Sequence, residues 1–144
     1  MPQYQTPFYG RDSGHPFSLY PYAYSSIVKV LEMWSGWGSG DANGHWVIKG
    51  IQLTWFTGEQ KVLYNHPVDT DIYSRYEFGG NERSSFSIRA GWRIYKFGFQ
   101  TSTGILWDAG GDSGNLFLDI ANGSIVGFEG SSGWELDYLR MRFI

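Results

Sequence analysis

The stretch SIVGFEGSSGWELDYLRMRF, residues 124–143, decides how the rest of the chain is read. Toward its end Leu139, Met141 and Phe143 alternate with Tyr138, Arg140 and Arg142. That period of two belongs to a strand with one face on a core and the other in water. Just before it, GSSG (130–133) carries the glycine and serine chemistry of a turn.

Working outward, most of the chain repeats this strand-and-turn texture. SIVKVLEMW (26–34), FSIRA (86–90) and RIYKFGFQ (93–100) are rich in β-branched and aromatic residues. WVIKGIQLTWF (46–56) places Ile51, Leu53 and Trp55 on one face, and NLFLDI (115–120) does the same with Leu116, Leu118 and Ile120. Turn signals separate the runs: SGWGSGDANG (35–44), TGEQ (57–60), FGGNE (78–82), STG (102–104), AGGDSGN (109–115) and ANG (121–123). Residues 1–24, rich in Pro, Tyr and Gly, read as loop and short extended pieces. No window sustains apolar residues at i, i+3, i+4 and i+7, so no helix is expected. Strand–turn units of similar length run throughout, yet no literal internal repeat is visible. The pattern predicts an all-β sandwich, barrel or prism, and no boundary divides residues 1–144 into two domains.

Composition narrows the function classes. The 144 residues can bury a real core. The absence of cysteine removes disulfides and thiol chemistry. A net charge of −3 gives no electrostatic reason to expect nucleic acid. The N-terminus has no basic region followed by an apolar one, and no apolar run is long enough to span a bilayer. A soluble protein, cytoplasmic or non-classically secreted, without membrane insertion, is the expectation.

GDSG (111–114) spells the motif around the nucleophile of chymotrypsin-like proteases. A triad of His66, Asp69 and Ser113 can be written in the right order. The context argues otherwise: Asn115-Leu116 follow the motif, nothing around His66 resembles a catalytic histidine segment, and Gly-Asp-Ser-Gly is ordinary turn chemistry. The three histidines lack metal-ligand spacing, so neither metal nor other cofactor is expected. Asp69/Asp71 and Glu135/Asp137 could be read as glycosidase carboxylates, but solvated acidic residues explain them as well. SGWGSGDANG lacks the Lys-Ser/Thr of a phosphate loop and reads as a hairpin loop. Seven Trp and ten Tyr exceed what a small core needs, and such flat faces can stack on sugar C–H groups.

IVGFEG (125–130) followed by Gly133-Trp134-Glu135-Leu136-Asp137 resembles the C-terminal signature of the jacalin-related lectins, Ile-x-Gly-Phe-x-Gly leading to Gly-x-x-x-Asp and a final strand. RIYKFGFQTSTG (93–104) and WVIKGIQLTWFTGE (46–59) resemble further strands of that family. YGRDSGHPFSL (9–19) resembles its N-terminal glycine-rich loop, best in the form of natterin-like lectin modules, with residues 1–8 as an extension. The resemblance implies a β-prism I fold, three Greek-key antiparallel sheets around a pseudo-threefold axis. It also implies a non-enzymatic, metal-independent lectin.

By the same resemblance Asp137 is the bidentate acceptor for sugar hydroxyls, the backbone N–H groups of Trp134 and Glu135 are donors, and Gly133 opens the turn. The loop 10–14 closes the pocket through the Gly14 N–H, with FGGNE as a weaker third wall. Ser13 stands where the family usually has a second glycine, which alters the loop if that position needs a positive φ. Mannose or glucose is favoured, and galactose or N-acetylgalactosamine stays open. The expected partners are glycans or glycoproteins, bound by a homo-oligomer through avidity. The rival readings are a protein-interaction domain on the same fold without sugar binding, and a hydrolase.

Overall fold

A computed structural model describes residues 2–144; Met1, the first residue of the expected extension, lies outside the described residues. The chain forms three antiparallel sheets. The first is built on the hairpin β12 (Ile125–Ser132) and β13 (Leu136–Phe143), with β3 (His15–Leu19) beside β12, and β1 (Tyr4–Gln5) and β2 (Tyr9–Gly10) beside β13. The second runs β6 (Gln60–Tyr64), β5 (Trp46–Trp55), β4 (Val28–Trp37), β7 (Ile72–Glu77). The third runs β10 (Leu106–Gly110), β9 (Ile94–Thr101), β8 (Ser84–Ala90), β11 (Asn115–Gly123).

Each sheet has Greek-key order: a central hairpin, a third strand beside its second, and a fourth returning beside its first. In the first sheet this order is completed by both chain ends. The expected β-prism I architecture is therefore present. The only helical turn among the described residues is a short 3-10 segment, Gly40–Ala42, and no helix is long and apolar enough to cross a membrane.

The inner faces meet in one core. Met33, Ile51, Leu53 and Trp55 of the second sheet, Phe86, Ile88 and Phe97 of the third, and Phe128, Leu139 and Met141 of the first are all buried. Phe97 meets Phe128 edge-on at 5.5 Å, and Trp55 Nε1 donates to the Val126 carbonyl at 2.8 Å, tying sheet to sheet. Residues 2–8 belong to this frame: the Thr6 N–H donates to the Met141 carbonyl, the Met141 N–H to Thr6 Oγ1, and Phe8 stacks on Tyr138.

Two readings of the sequence are corrected here. In β11 Leu116 pairs with Arg89 and Phe117 with the buried Ile88, so Leu116 and Leu118 face solvent instead of the core; the register then shifts between Phe117 and Ala121, where Asp119 takes φ +52°. ANG (121–123), expected as a turn, continues that strand.

The structure also contains the internal repeat that the sequence conceals. Each central hairpin has a β-bulge near the start of its second strand. In the first sheet Ser132 pairs with Leu136 and Ser131 with Tyr138, which leaves Asp137 as the extra residue. In the second, Ser35 pairs with Ile48 and Trp34 with Gly50, leaving Lys49. In the third, Ala90 pairs with Ile94 and Arg89 with Lys96, leaving Tyr95. Aligned on the bulges, the hairpins read Ser132-Gly133-Trp134-Glu135-Leu136-Asp137, Ala90-Gly91-Trp92-Arg93-Ile94-Tyr95, and Ser35-Gly36-Trp37 followed, after the insertion 38–46, by Val47-Ile48-Lys49.

The outer loops at the same end repeat as well. Gly10-Arg11-Asp12-Ser13-Gly14 and Gly110-Gly111-Asp112-Ser113-Gly114 join corresponding strands, with φ +91° and +81° at the flanking glycines of the first loop and +109° and +78° in the second. The Arg11 N–H donates to the Asp137 carbonyl at 2.9 Å, as the Gly111 N–H does to the Tyr95 carbonyl at 2.7 Å. GDSG is thus the third-sheet copy of GRDSG, and the positive φ of the turn accounts for its flanking glycines.

Candidate functional site

The three bulges project buried side chains toward the three outer loops, and each is finished differently. Lys49, 1% exposed, reaches Asp71 of the loop between β6 and β7, with both carboxylate oxygens 2.9 Å from Nζ. Asp71 also accepts from the Tyr64 hydroxyl at 2.5 Å and the Val68 N–H at 3.0 Å. Burial pushes this carboxyl up, but the bonds from Tyr64, Lys49 and Val68 outweigh it and hold it below its ordinary value. The Asp71 side chain is 3% exposed, so these bonds leave no face open to a ligand. Tyr95 of the third sheet offers no carboxylate, and its ring lies where a β-carbon on Gly114 would strike it, at 2.6 Å.

Among the described residues, only the first sheet presents a buried carboxylate to an open surface. Asp137, 5% exposed, keeps Oδ2 against two glycine backbones: a β-carbon on Gly14 would lie 2.7 Å from it, and one on Gly133 3.6 Å. Its Oδ1 lies 3.1 Å from Arg93 Nε in an ion-pair contact, while the Nε hydrogen itself is donated to Glu135 Oε1. Burial raises the Asp137 carboxyl above its ordinary value; Arg93 pulls it down, Glu135 pushes it up, and the Gly133 N–H and the Ser13 hydroxyl favour the charged form. Ser13 has no positive φ, so serine fits the position without strain, and the glycine geometry is carried by Gly10 and Gly14.

Glu135 holds the three hairpins together. Its side chain is 3% exposed and accepts from the Ser39 N–H and hydroxyl, both at 3.0 Å, and from Arg93 Nε at 3.0 Å. Ser39 comes from the insertion between β4 and β5, and Arg93 from the turn between β8 and β9. The Glu135 carboxylate is therefore structural, and only its backbone is free for a ligand. No turn or loop bond among the described residues uses the N–H of Gly14, Trp134 or Glu135. Ser39, Gly40, Arg93, Gly133, Trp134, Glu135 and Asp137 line one open depression of ≈ 370 Å³.

Trp134 is 59% exposed and lies over His66, with ring centroids 4.0 Å apart and 16° between planes. Asn65 Nδ2 donates to the Gly133 carbonyl at 3.1 Å, so the loop after β6 supports this turn. The structure thus brings Gly14, Ser13, Gly133, Trp134, Glu135 and Asp137 together around one carboxylate. FGGNE does not join them: Phe78, Gly79 and Glu82 line a recess with Ile125 and Val28, at the other end of β12.

Sequence reading missed Arg93 and Ser39. The signal for Arg93 was the repeated Gly-Trp-x-aliphatic of residues 91–94 and 133–136. Nothing in SGWGSGDANG marked Ser39 as a partner for a distant glutamate.

The His66-Asp69-Ser113 constellation is not assembled. Ser113 Oγ lies 2.7 Å from His45 Nδ1, while His66 is stacked on Trp134. No carboxylate hydrogen-bonds His45 among the described residues, so the orienting member of a triad is missing. No group of three or more His, Cys, Asp or Glu side chains is placed to hold a metal among the described residues.

No protein-family model matches this sequence, and no curated protein matches it. Solved structures do. The mannose-specific jacalin-related lectin from Morus nigra, solved with mannose, superposes with TM-score 0.73 at 16% identity, over 97% of this chain and 93% of that one. The fold is that of the jacalin-related lectins. The Calsepa lectin, solved with a bisected glycan, matches with TM-score 0.72 at 16% identity, over 100% and 99% of the two chains. A lamprey immune protein matches with TM-score 0.74 at 20% identity over the whole of this chain, which spans 45% of the lamprey chain.

Proposed function

We propose that this β-prism is a metal-independent lectin that binds a neutral hexose at Asp137. The observation that carries the reading is the Asp137 carboxylate, buried yet facing an open depression across two glycine backbones. A monosaccharide presents adjacent hydroxyls that each donate and accept. Asp137 Oδ2 can accept from one, and Oδ1, in ion-pair contact with Arg93, can accept from a second. The N–H groups of Gly14, Trp134 and Glu135 donate to the sugar oxygens, and Trp134 supplies the apolar wall.

Glu135, Asp137 and Arg93 sum to one net negative charge at the site, which disfavours sialylated or other acidic sugars. Mannose or glucose is the preferred class, mannose being the ligand of the Morus nigra neighbour. No step of this reading is catalytic. Binding at one such shallow site is weak, and assembly into oligomers supplies the avidity.

The test is solution titration with methyl α-mannoside, methyl α-glucoside and methyl α-galactoside, with EDTA present, on the native protein and Asp137→Asn. The expected result is saturable binding to the first two, lost in the variant. Binding that survives Asp137→Asn places the site elsewhere. Absence of binding by a folded protein favours the interaction-domain reading.

A further inference from the structure

The hairpin repeat places a tryptophan after the turn glycine in all three sheets: Trp37, Trp92 and Trp134. They are 58%, 52% and 59% exposed. One exposed tryptophan is ordinary; three at equivalent positions around one end of a prism form an aromatic rim.

Each is held by a neighbour. Trp134 lies on His66, from the second sheet's outer loop. Trp92 lies under the Arg11 guanidinium at 4.7 Å, from the first sheet's outer loop. Trp37 meets the edge of Trp46 at 4.9 Å, and the Trp46 carbonyl closely abuts Gly111 of the third sheet's outer loop. The support runs cyclically, each outer loop bracing the next sheet's hairpin. Such bracing fixes the rings before any ligand arrives, which lowers the ordering cost of stacking.

Trp134 lines the depression already described, and residues close in sequence to the other two tryptophans, Arg93 and Ser39, line it as well. Arg93 follows Trp92 directly, its Nη1 donates to the Trp92 carbonyl at 3.0 Å, and its Nε contacts Asp137 at 3.1 Å. Ser39 lies two residues after Trp37 and bonds Glu135. Trp92 and Trp37 thus adjoin in sequence residues that line the primary site, and an oligosaccharide extending from that site would meet them. With one carboxylate site and two further braced rings, the chemistry that fits is a terminal sugar at Asp137 with further sugar residues on the flanking rings.

Resting on the hexose site argued above, we propose that Trp92 and Trp37 are stacking subsites and that the true ligand is a branched oligosaccharide, not an isolated terminal sugar.

The experiment is titration calorimetry in solution with methyl α-mannoside and with a branched trimannoside, on the native protein, Trp92→Ala, Trp37→Ala and Asp137→Asn. Unfolding midpoints of all four serve as folding controls. The native protein should bind the trimannoside about tenfold or more tightly than the monosaccharide. Trp92→Ala or Trp37→Ala should erase that preference while leaving monosaccharide affinity unchanged. Asp137→Asn should abolish binding of both sugars.

Equal affinities in the native protein, or a preference that survives both tryptophan substitutions, overturns the subsites and leaves the hexose site standing. Binding that persists in Asp137→Asn overturns the hexose site instead, and a folded native protein that binds neither sugar overturns both. A parallel sedimentation with phosphatidylcholine vesicles completes the test: tryptophan-dependent pelleting there, without an oligosaccharide preference, assigns the rim to a lipid interface and overturns the proposal.

Discussion

The second-sheet and first-sheet hairpins use one backbone device for opposite ends. Both carry a bulge that turns a charged side chain toward an outer loop. At Lys49 the loop answers with Asp71, and Tyr64 and Val68 complete the set. At Asp137 the loop answers with Gly14 and Ser13, which leave the carboxylate facing hydrogen-bonding backbone, the Ser13 hydroxyl and open space. The first arrangement is satisfied within the fold, and the second has capacity left over. A buried charge with unused acceptor capacity on an open surface is what separates a binding position from a structural one in this prism.

The largest expected effect comes from breaking the satisfied copy. Asp71→Asn strands the Lys49 ammonium, 1% exposed, without a counter-charge and should cost about 3–5 kcal/mol in urea unfolding. Lys49→Met combined with Asp71→Leu should recover much of that loss, because an apolar pair needs no compensating charge. The pair also has a pH signature. The folded-state Asp71 carboxyl lies below its ordinary value, so its stabilisation is present above the unfolded-state value and is lost as the pH falls through the folded one.

Next in size are the paired glycines. Gly14→Ala forces a left-handed backbone at φ +81° and drives a β-carbon to 2.7 Å from Asp137 Oδ2. Gly114→Ala does the same at φ +78°, against the Tyr95 ring. Each should destabilise the fold by about 1–3 kcal/mol. Only Gly14→Ala should also abolish hexose binding in calorimetry, since only its loop faces the carboxylate. Equal loss of binding in both would mean that the two loops do not differ in function.

Ser113→Ala is smaller still. It removes the bond to His45 at a solvent-exposed turn, so the unfolding midpoint should shift by no more than about 1 kcal/mol and hexose binding should be unchanged. An ester-hydrolysis activity that disappears in Ser113→Ala and His45→Ala would instead give the third-sheet loop a role of its own.

How much of this was legible before the structure depends on what each residue faces. The alternation of Leu139, Met141 and Phe143 was readable because one face of β13 is buried and the other is wet. Flanking strands such as β6 and β7, with few buried positions, gave no such pattern. NLFLDI misled because alternation cannot show which face is buried: Leu116 pairs with Arg89, while Phe117 and Ala121 pair with Ile88 and Phe86 of the core. The Gly-Trp hairpins escaped notice because the bulged position holds Asp, Lys or Tyr, and because the insertion 38–46 separates Trp37 from Val47. The candidate site residues were reached through the family signature; Arg93 and Ser39 lay beyond it, since they join Glu135 only through the packing of separate sheets.

Asp137→Asn should have the smallest effect on stability, and it separates binding from folding most directly. Arg93 keeps its bond to Glu135 in the variant, so the three hairpins remain tied together. Burial already holds the Asp137 carboxyl above its ordinary value, which means that folding favours its protonated form. The stability this group contributes is therefore full below its unfolded-state value and is lost as the pH rises through the folded one. At neutral pH the ionised group is a net cost, and the neutral amide, nearly the same shape, should match or exceed the native unfolding midpoint. Binding runs the other way. The sugar needs an ionised double acceptor, so native affinity should fall as the pH drops through the raised value, sooner than for an ordinary carboxylate. A calorimetric series from neutral to mildly acidic pH reads both trends on one sample. If affinity and stability instead fall together as the pH drops, Asp137 is serving the fold in the manner of Asp71, and the contrast between the two hairpins collapses.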